Sequence, residues 1–325
     1  MLRRSILAAF LVLVSNSATM SVEAQAWPTR PVRLIVPLAP GATADIITRI
    51  YADELTKALG QNFVVDNKTG AGGTIATAEA SRAAPDGYTM LLISQGTVVF
   101  NIGLYPKPGY DPTKDFDAVA LAGSVSNVLI VHPDNPAKTV GDVIAQAREK
   151  PGEYTYSSGG TGTSHHMSAL LFERDTGVKM QHVPYRTTPA GINAVVNGEV
   201  KMGFFNTPTV VSLIKGGKLK AIAITSEQRS ELLPEVPTMV EQGVKGHVFN
   251  TWMGFAMPKG VPPAVVAKLN AELLRIAQLP AVREKMKAQG IDLMPPEPPA
   301  AVDKLVKDEL ALWVPIIKAS GATAE

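Results

Sequence analysis

Cysteine is absent from all 325 residues. That excludes thiol catalysis, thiolate metal sites and disulfides, so stability has to come from core burial alone. Aromatic residues make up only 6% of the chain, and no basic cluster stands out among 31 basic and 29 acidic side chains. Nucleic acid is therefore excluded as an expected partner, since neither base stacking nor phosphate neutralisation is supplied. Long apolar runs are missing too. The one candidate, residues 5–14, falls well short of the roughly 20 residues of a spanning helix.

What is present begins with that short run. Arg3 and Arg4 precede it and the small-residue site Ala24-Gln25-Ala26 follows, which is the pattern of a cleaved export signal over residues 1–26. The predicted mature chain starts at Trp27 and keeps 299 of the 325 residues, with Arg3, Arg4 and Glu23 lost to leave 29 basic and 28 acidic side chains. That length suffices for two domains of common size. Export points to the periplasm of a bacterium.

Periodicity predicts alternating strands and helices. Residues 33–36, 63–65 and 88–94 read as strands, with helices over 46–59 and 74–83 between them. The pattern restarts with strands at 128–131, 153–157, 181–183, 200–205 and 219–225 and helices near 139–149, 163–175 and 189–196. Residues 226–250 read as loop, after which helices dominate: 263–278, 281–289 and 300–318. Val302, Leu305, Val306, Trp313, Ile316 and Ile317 fall on one stripe of the last helix and are predicted to be core. This is βαβ grammar, which predicts an α/β protein of two lobes, each a mainly parallel sheet flanked by helices. Ligands in such sheets sit beyond the carboxyl ends of strands, which directs attention to residues 37–45, 94–97 and 157–166.

The last of these, SSGGTGTSHH, holds no large apolar side chain. It lacks the lysine and spacing of a phosphate loop, and only Gly160-Thr161-Gly162 matches the dinucleotide fingerprint. Gly162-Thr163-Ser164-His165-His166 ends in histidine where a nucleophile elbow requires glycine. Adjacent histidines on a helix point about 100° apart, which argues against a shared metal ion. The expected arrangement is that one of His165 and His166 packs at the helix start and the other is solvated. Two readings of the stretch remain. One is an anion cradle built from glycine backbone, the hydroxyls of Ser158, Thr161, Thr163 and Ser164, and the free amides of a helix N-terminus. The other is a plain helix cap by Thr163 or Ser164. The loop 37–45 repeats the chemistry, with Thr43 or Asp45 placed to cap and Asp45 four residues before Arg49.

Five ordered segments, VPLAPGATADIITR (36–49), VVDNKTGAGGTIATAEASRAAPDGYTMLL (64–92), HVPYRTTPAGINAVVNGEVKMGFF (182–205), LKAIAITSEQRSELLPEVPTMVEQGV (219–244) and WVPIIKASG (313–321), resemble the Bug family. These are periplasmic solute-binding receptors of tripartite tricarboxylate transporters. The resemblance spans essentially the whole mature chain. It implies a type II Venus-flytrap fold in which a second lobe, residues 127–249, is inserted into a first made of 27–126 and 250–325, with chain crossings near 126 and 250. It also implies a small carboxylate ligand, di- or tricarboxylic or aromatic, and no cofactor or metal. Carried across, the family's binding positions fall on Gly41, Ala42, Thr43, Ala44 and Asp45, on Ser94 and Gln95, and on Gly160, Thr161, Gly162, Thr163 and Ser164. The implied protein is a monomer and not an enzyme, partnered by inner-membrane transporter subunits or by a sensor kinase instead. Two positions depart from the family pattern. Ala42 stands where a second glycine is common, and Ala194 where an acidic residue is common, which argues against a ligand whose ammonium group needs a negative partner. The competing expectation is an exported hydrolase with a dispersed Ser/His/Asp set, which requires a serine within hydrogen-bond reach of His132, His165, His166, His182 or His247.

Overall fold

A computed structural model describes residues 27–324, and the expected export signal lies outside them. β1 (Val32–Val36) leads into α1 (Thr43–Leu59), followed by β2 (Phe63–Asn67), α2 (Thr74–Ser81) and β3 (Thr89–Ser94). α1 stops at Gly60, whose φ of +69° is the left-handed conformation that ends helices without a Cβ penalty. β1 pairs in parallel with both β2 and β3. A π turn at Gly96–Phe100 and the short α3 (Asn101–Leu104) then lead into β4 (Phe116–Val131).

β4 joins two sheets. Its residues up to Ser126 pair with β9 (Asn250–Pro258), whereas Asn127 to Val131 pair with β7 (Met202–Asn206) and β8 (Lys220–Ile224). Between these crossings lie α4 (Val140–Glu149), β5 (Tyr154–Ser158), α5 (Ser164–Thr176), β6 (Met180–Pro184), α6 (Thr188–Val196) and α7 (Thr207–Lys215). α4 opens on a capping box in which Thr139 Oγ1 accepts the Asp142 amide at 3.1 Å and the Asp142 carboxylate accepts the Thr139 amide at 2.9 Å. After β9 the chain adds α8 (Pro263–Ala277), α9 (Pro280–Ala288) and α10 (Pro299–Ser320) to the first sheet's lobe.

The sheets are more mixed than the mainly parallel ones expected. The βαβ strands pair in parallel, β1 with β2 and β3, and β5 with β6 and β7, whereas every pairing of β4 and β9 is antiparallel. A strand that has just crossed between lobes runs away from the junction, while βαβ strands run toward it. Gly254 of β9 allows the closest approach there, since a Cβ on it would lie 2.6 Å from the Ala120 carbonyl oxygen.

Each sheet is buried on both faces. Leu34, Ile47, Leu55 and Phe255 pack on one side of the first, and Ile35, Leu91, Phe100 and Val302 on the other. Tyr156, Phe172 and Phe204 cover one face of the second, and Val128, Ile130 and Phe205 its reverse. Of the predicted α10 stripe, Val302, Val306, Trp313 and Ile317 are buried, and Leu305 and Ile316 are partly so. Trp313 meets Phe100 edge-on at 5.0 Å between ring centroids. Among the described residues no helix is long and apolar enough to cross a membrane.

Candidate ligand-binding site

The carboxyl ends of β1, β3, β5 and β7 converge on one narrow space between the sheets. Its volume is about 30 Å³, and six of the predicted residues line it: Ala42, Thr43, Ser94, Gly162, Thr163 and Ser164. Thr188, Asn206 and Thr251 line it as well, and no Lys, Arg, Asp or Glu does. The space is small because opposing loops touch. A Cβ on Gly72 would lie 2.2 Å from the Thr161 carbonyl oxygen, and one on Gly96 would lie 2.8 Å from that of Gly162. Ligand sites typically begin near ~300 Å³, so a ligand enters only while these loops are parted and is held when closure brings them together again. Gly160 and Thr161 face a neighbouring space of about 350 Å³. Gly41, Ala44, Asp45 and Gln95 line neither space.

The hydrogen bonds decide which amides are available. In the loop after β5, Gly159 donates to His165 Nδ1 at 3.2 Å, Gly160 to Ser158 Oγ at 3.1 Å, and Gly162 to His166 Nδ1 at 3.4 Å. Glycine amides expected to cradle a ligand are thus engaged within the protein. Thr163 is the N-cap residue of α5 by position, yet its hydroxyl donates to Gly160 O at 2.7 Å and makes no cap. Residues in a first helical turn have no intrahelical acceptor, which leaves the amides of Ser164, His165 and His166 pointing out of α5. α1 is arranged likewise: Ala42 holds the cap position without a side-chain bond, so the amides of Thr43, Ala44 and Asp45 point outward. The conformation of Ala42, φ −72° and ψ 157°, is ordinary extended backbone, so the alanine in place of glycine brings no strain.

Two predicted contacts serve the scaffold. The Asp45 carboxylate accepts the Gly41 amide and the Arg49 Nε, both at 2.9 Å, and so fixes the loop from inside. Gln95 Nε2 donates to Glu309 Oε2 of α10 at 2.6 Å. Ala194 lies on the buried face of α6, in the apolar cluster of Val128 and Phe205, so its identity bears on packing and carries no argument about a ligand's ammonium group.

His165 and His166 differ from expectation, for neither is solvated. They are 2% and 4% exposed. The His166 ring stacks on His182 at 4.2 Å and 7°, and His182 stacks on Tyr156 at 4.9 Å and 14°. Burial pushes the imidazoles down from 6.5, His165 to about 4, His166 to about 3 with His182 beside it adding to the effect, and His182 to about 4. All three are neutral at pH 7, which lets the Nδ1 atoms of His165 and His166 accept the loop amides.

Sequence reasoning passed over an asparagine pair at the centre. Asn206 Nδ2 donates to Asn127 Oδ1 and to Ser164 Oγ, the latter at 3.3 Å. Asn127 Nδ2 donates to Ser168 Oγ at 2.6 Å and to Ser164 O at 3.1 Å. Asn206 Oδ1 accepts Thr43 Oγ1 at 3.2 Å from the first lobe and His165 Nε2 at 3.3 Å. Asn206 ends β7, and the rule that ligands sit beyond strand ends would have singled it out had it been applied to that strand. Replacing Asn206 with alanine leaves several buried partners unpaired and is expected to cost about 2–4 kcal/mol of stability in urea denaturation. A loss under about 1 kcal/mol would show the network to be dispensable.

A family model for the tripartite tricarboxylate transporter family receptor matches residues 47–322. The chain belongs to this receptor family. Among its relatives, BugT of Bordetella pertussis is 33% identical over 302 residues, covering 93% of this chain and 92% of BugT. A Rhodopseudomonas palustris protein solved with adipate aligns with a TM-score of 0.88 at 32% identity, over 91% of this chain and 99% of that one. MatC of the same organism, solved with bound malate, aligns at 0.85 and 32%, over 90% and 100%. The receptor therefore has the two-lobed periplasmic-binding-protein fold.

Proposed function

We propose that this receptor captures a small carboxylate, di- or tricarboxylic or aromatic, by closure of its lobes in the periplasm and delivers it to an inner-membrane transporter. The lobes are residues 27–126 with 250–325, and 127–249, hinged where β4 and β9 cross. The observation that carries the reading is the pair of uncapped helix N-termini, one from each lobe, facing one space lined by hydroxyls and no charged side chain. The hydroxyl of Thr188, buried in the wall of that space, has no protein partner and adds a donor. Oriented amide dipoles hold an anion without the desolvation of a competing charge, so release stays possible. The proposed contacts are the α1 amides of Thr43, Ala44 and Asp45, the α5 amides of Ser164, His165 and His166, and the hydroxyls of Ser94, Thr188 and Thr251.

The hydrolase reading has one point in its favour. Ser158 Oγ lies 2.7 Å from His182 Nε2. Yet Ser158 is fully buried, its oxygen also accepts the Gly160 amide, and among the described residues no carboxylate bonds to His182. A nucleophile has to reach its substrate and its base has to be oriented, so this pair supports the loop and the proposed receptor has no turnover. A thermal-shift screen of residues 27–325 against a carboxylate panel tests the proposal. A ligand at 100 times its Kd adds about 2.7 kcal/mol, expected to raise Tm by roughly 4 °C in a chain of this size. Absence of any shift, together with ester hydrolysis, would sink it.

A further inference from the structure

The larger space beside the narrow one has a different character. Its walls carry Leu38, Ile75, Tyr105, Pro184 and Tyr185, and Arg186 is the one charged residue among them. Arg186 is exposed, and no acidic side chain pairs with it among the described residues. Leu38 and Gly72 belong to the walls of both spaces, which meet across the backbone contact of Gly72 with Thr161. Parting that contact therefore lets a ligand reach from an inner chamber of amides and hydroxyls into an outer chamber of apolar surface and one cation, and closure remakes the contact beside it.

We propose that Arg186 is a specificity-determining residue, and that the receptor selects two-ended carboxylates: one carboxylate on the helix N-termini, an apolar or aromatic spacer along the outer walls, and a second anionic group at the Arg186 guanidinium. This rests on the receptor reading given above. An inner space of about 30 Å³ accommodates a carboxylate group and little more, so the rest of the ligand must lie outward. The outer walls offer the spacer tyrosine rings and aliphatic side chains rather than competing charges. An unpaired guanidinium at the rim matches a planar carboxylate in a bidentate manner and has no internal carboxylate to give up.

The test is calorimetric titration of the wild-type protein and of Arg186→Gln and Arg186→Lys with matched probes, adipate against hexanoate and terephthalate against benzoate. The wild type is expected to bind a dicarboxylate at least tenfold more tightly than its monocarboxylate partner. Arg186→Gln is expected to lose that margin, with a tenfold or greater fall for the dicarboxylate and less than twofold change for the monocarboxylate, and Arg186→Lys to recover part of it. Dicarboxylate affinity that stays within twofold in Arg186→Gln overturns the proposal while the receptor reading stands. An equal fall for both members of a pair overturns it too, because a second anionic end is then not what Arg186 reads. Wild-type protein that binds none of the four probes, and shifts with no other carboxylate, overturns the receptor reading itself.

Discussion

Replacing Gly72 with alanine is expected to weaken carboxylate binding by about a hundredfold or more while the protein still folds. Gly72 has φ +60°, and its added Cβ would meet the Thr161 carbonyl oxygen at 2.2 Å, the Tyr105 hydroxyl at 3.1 Å and Asn101 Oδ1 at 3.3 Å. Tyr105 and Asn101 are side chains and can adjust. The Thr161 oxygen is backbone from the opposite lobe, held in the loop before α5, and cannot rotate away. The lobes must then stop short of full closure. A closed state penalised by about 3 kcal/mol raises the apparent Kd roughly a hundredfold, because only the closed fraction holds the ligand on both sides. In the open form the variant carries only the strain of a left-handed alanine, about 1–2 kcal/mol. Gly152→Ala supplies the control: its φ is +80° with nothing within 4 Å of an added Cβ, so it brings strain without a clash. Titration and thermal melts of the two variants separate the effects. Equal binding by Gly72→Ala and Gly152→Ala would show that the Gly72 and Thr161 contact plays no part in holding ligand.

Acid is expected to destabilise the protein between pH 6.5 and about 4 by several kcal/mol, through the histidines behind the binding loop. The unfolded chain takes up protons on these imidazoles near pH 6.5, whereas in the folded protein burial delays uptake to about 4 for His165 and His182 and about 3 for His166. Between those values the native state binds fewer protons, so the stabilisation is complete above pH 6.5 and lost as pH falls toward 4. Each bound proton's difference gives a slope of about 1.4 kcal/mol per pH unit. Coupling between the stacked His166 and His182 keeps the sum below three independent contributions. Glu173 and Glu309, raised by burial, act in the opposite sense. The decisive quantity is therefore the difference between the wild type and His182→Phe, which preserves the stack on Tyr156 and removes one titrating ring. Urea midpoints followed from pH 7 to 4 are expected to show a shallower slope in the variant, by up to one proton. Identical slopes would assign acid sensitivity to other groups. The same protonation strikes the binding loop, since a charged His165 or His166 presents N–H where Gly159 or Gly162 needs an acceptor.

Much of the fold was legible because local periodicity is strong where an element is half buried. α1, α4, α5 and β1 lie where apolar spacing puts them, to within a few residues. β9 and the first half of β4 were not. Both are buried along nearly their whole length, so neither alternates apolar with polar, and glycines at positions 123 and 254 interrupt what apolar signal there is. Those glycines exist for backbone packing between two strands far apart in sequence, which no local window contains.

The site divides along the same line. The sequence by itself determined the chemical inventory: two strand-to-helix loops rich in glycine and hydroxyls, without lysine, arginine or cysteine, which excluded phosphate-loop, thiol and paired-histidine chemistry and left an anion cradle or a helix cap. Tertiary structure decided which groups of that inventory are available. It engaged the amides of Gly159, Gly160 and Gly162 with His165, Ser158 and His166, set Asp45 to brace its own loop, and brought Asn206 and Thr188 to the wall from strands and helices with no motif of their own. The physical reason is that a hydrogen-bonding group has one best partner at a time, and the competition among partners distant in sequence is settled only when the chain is packed.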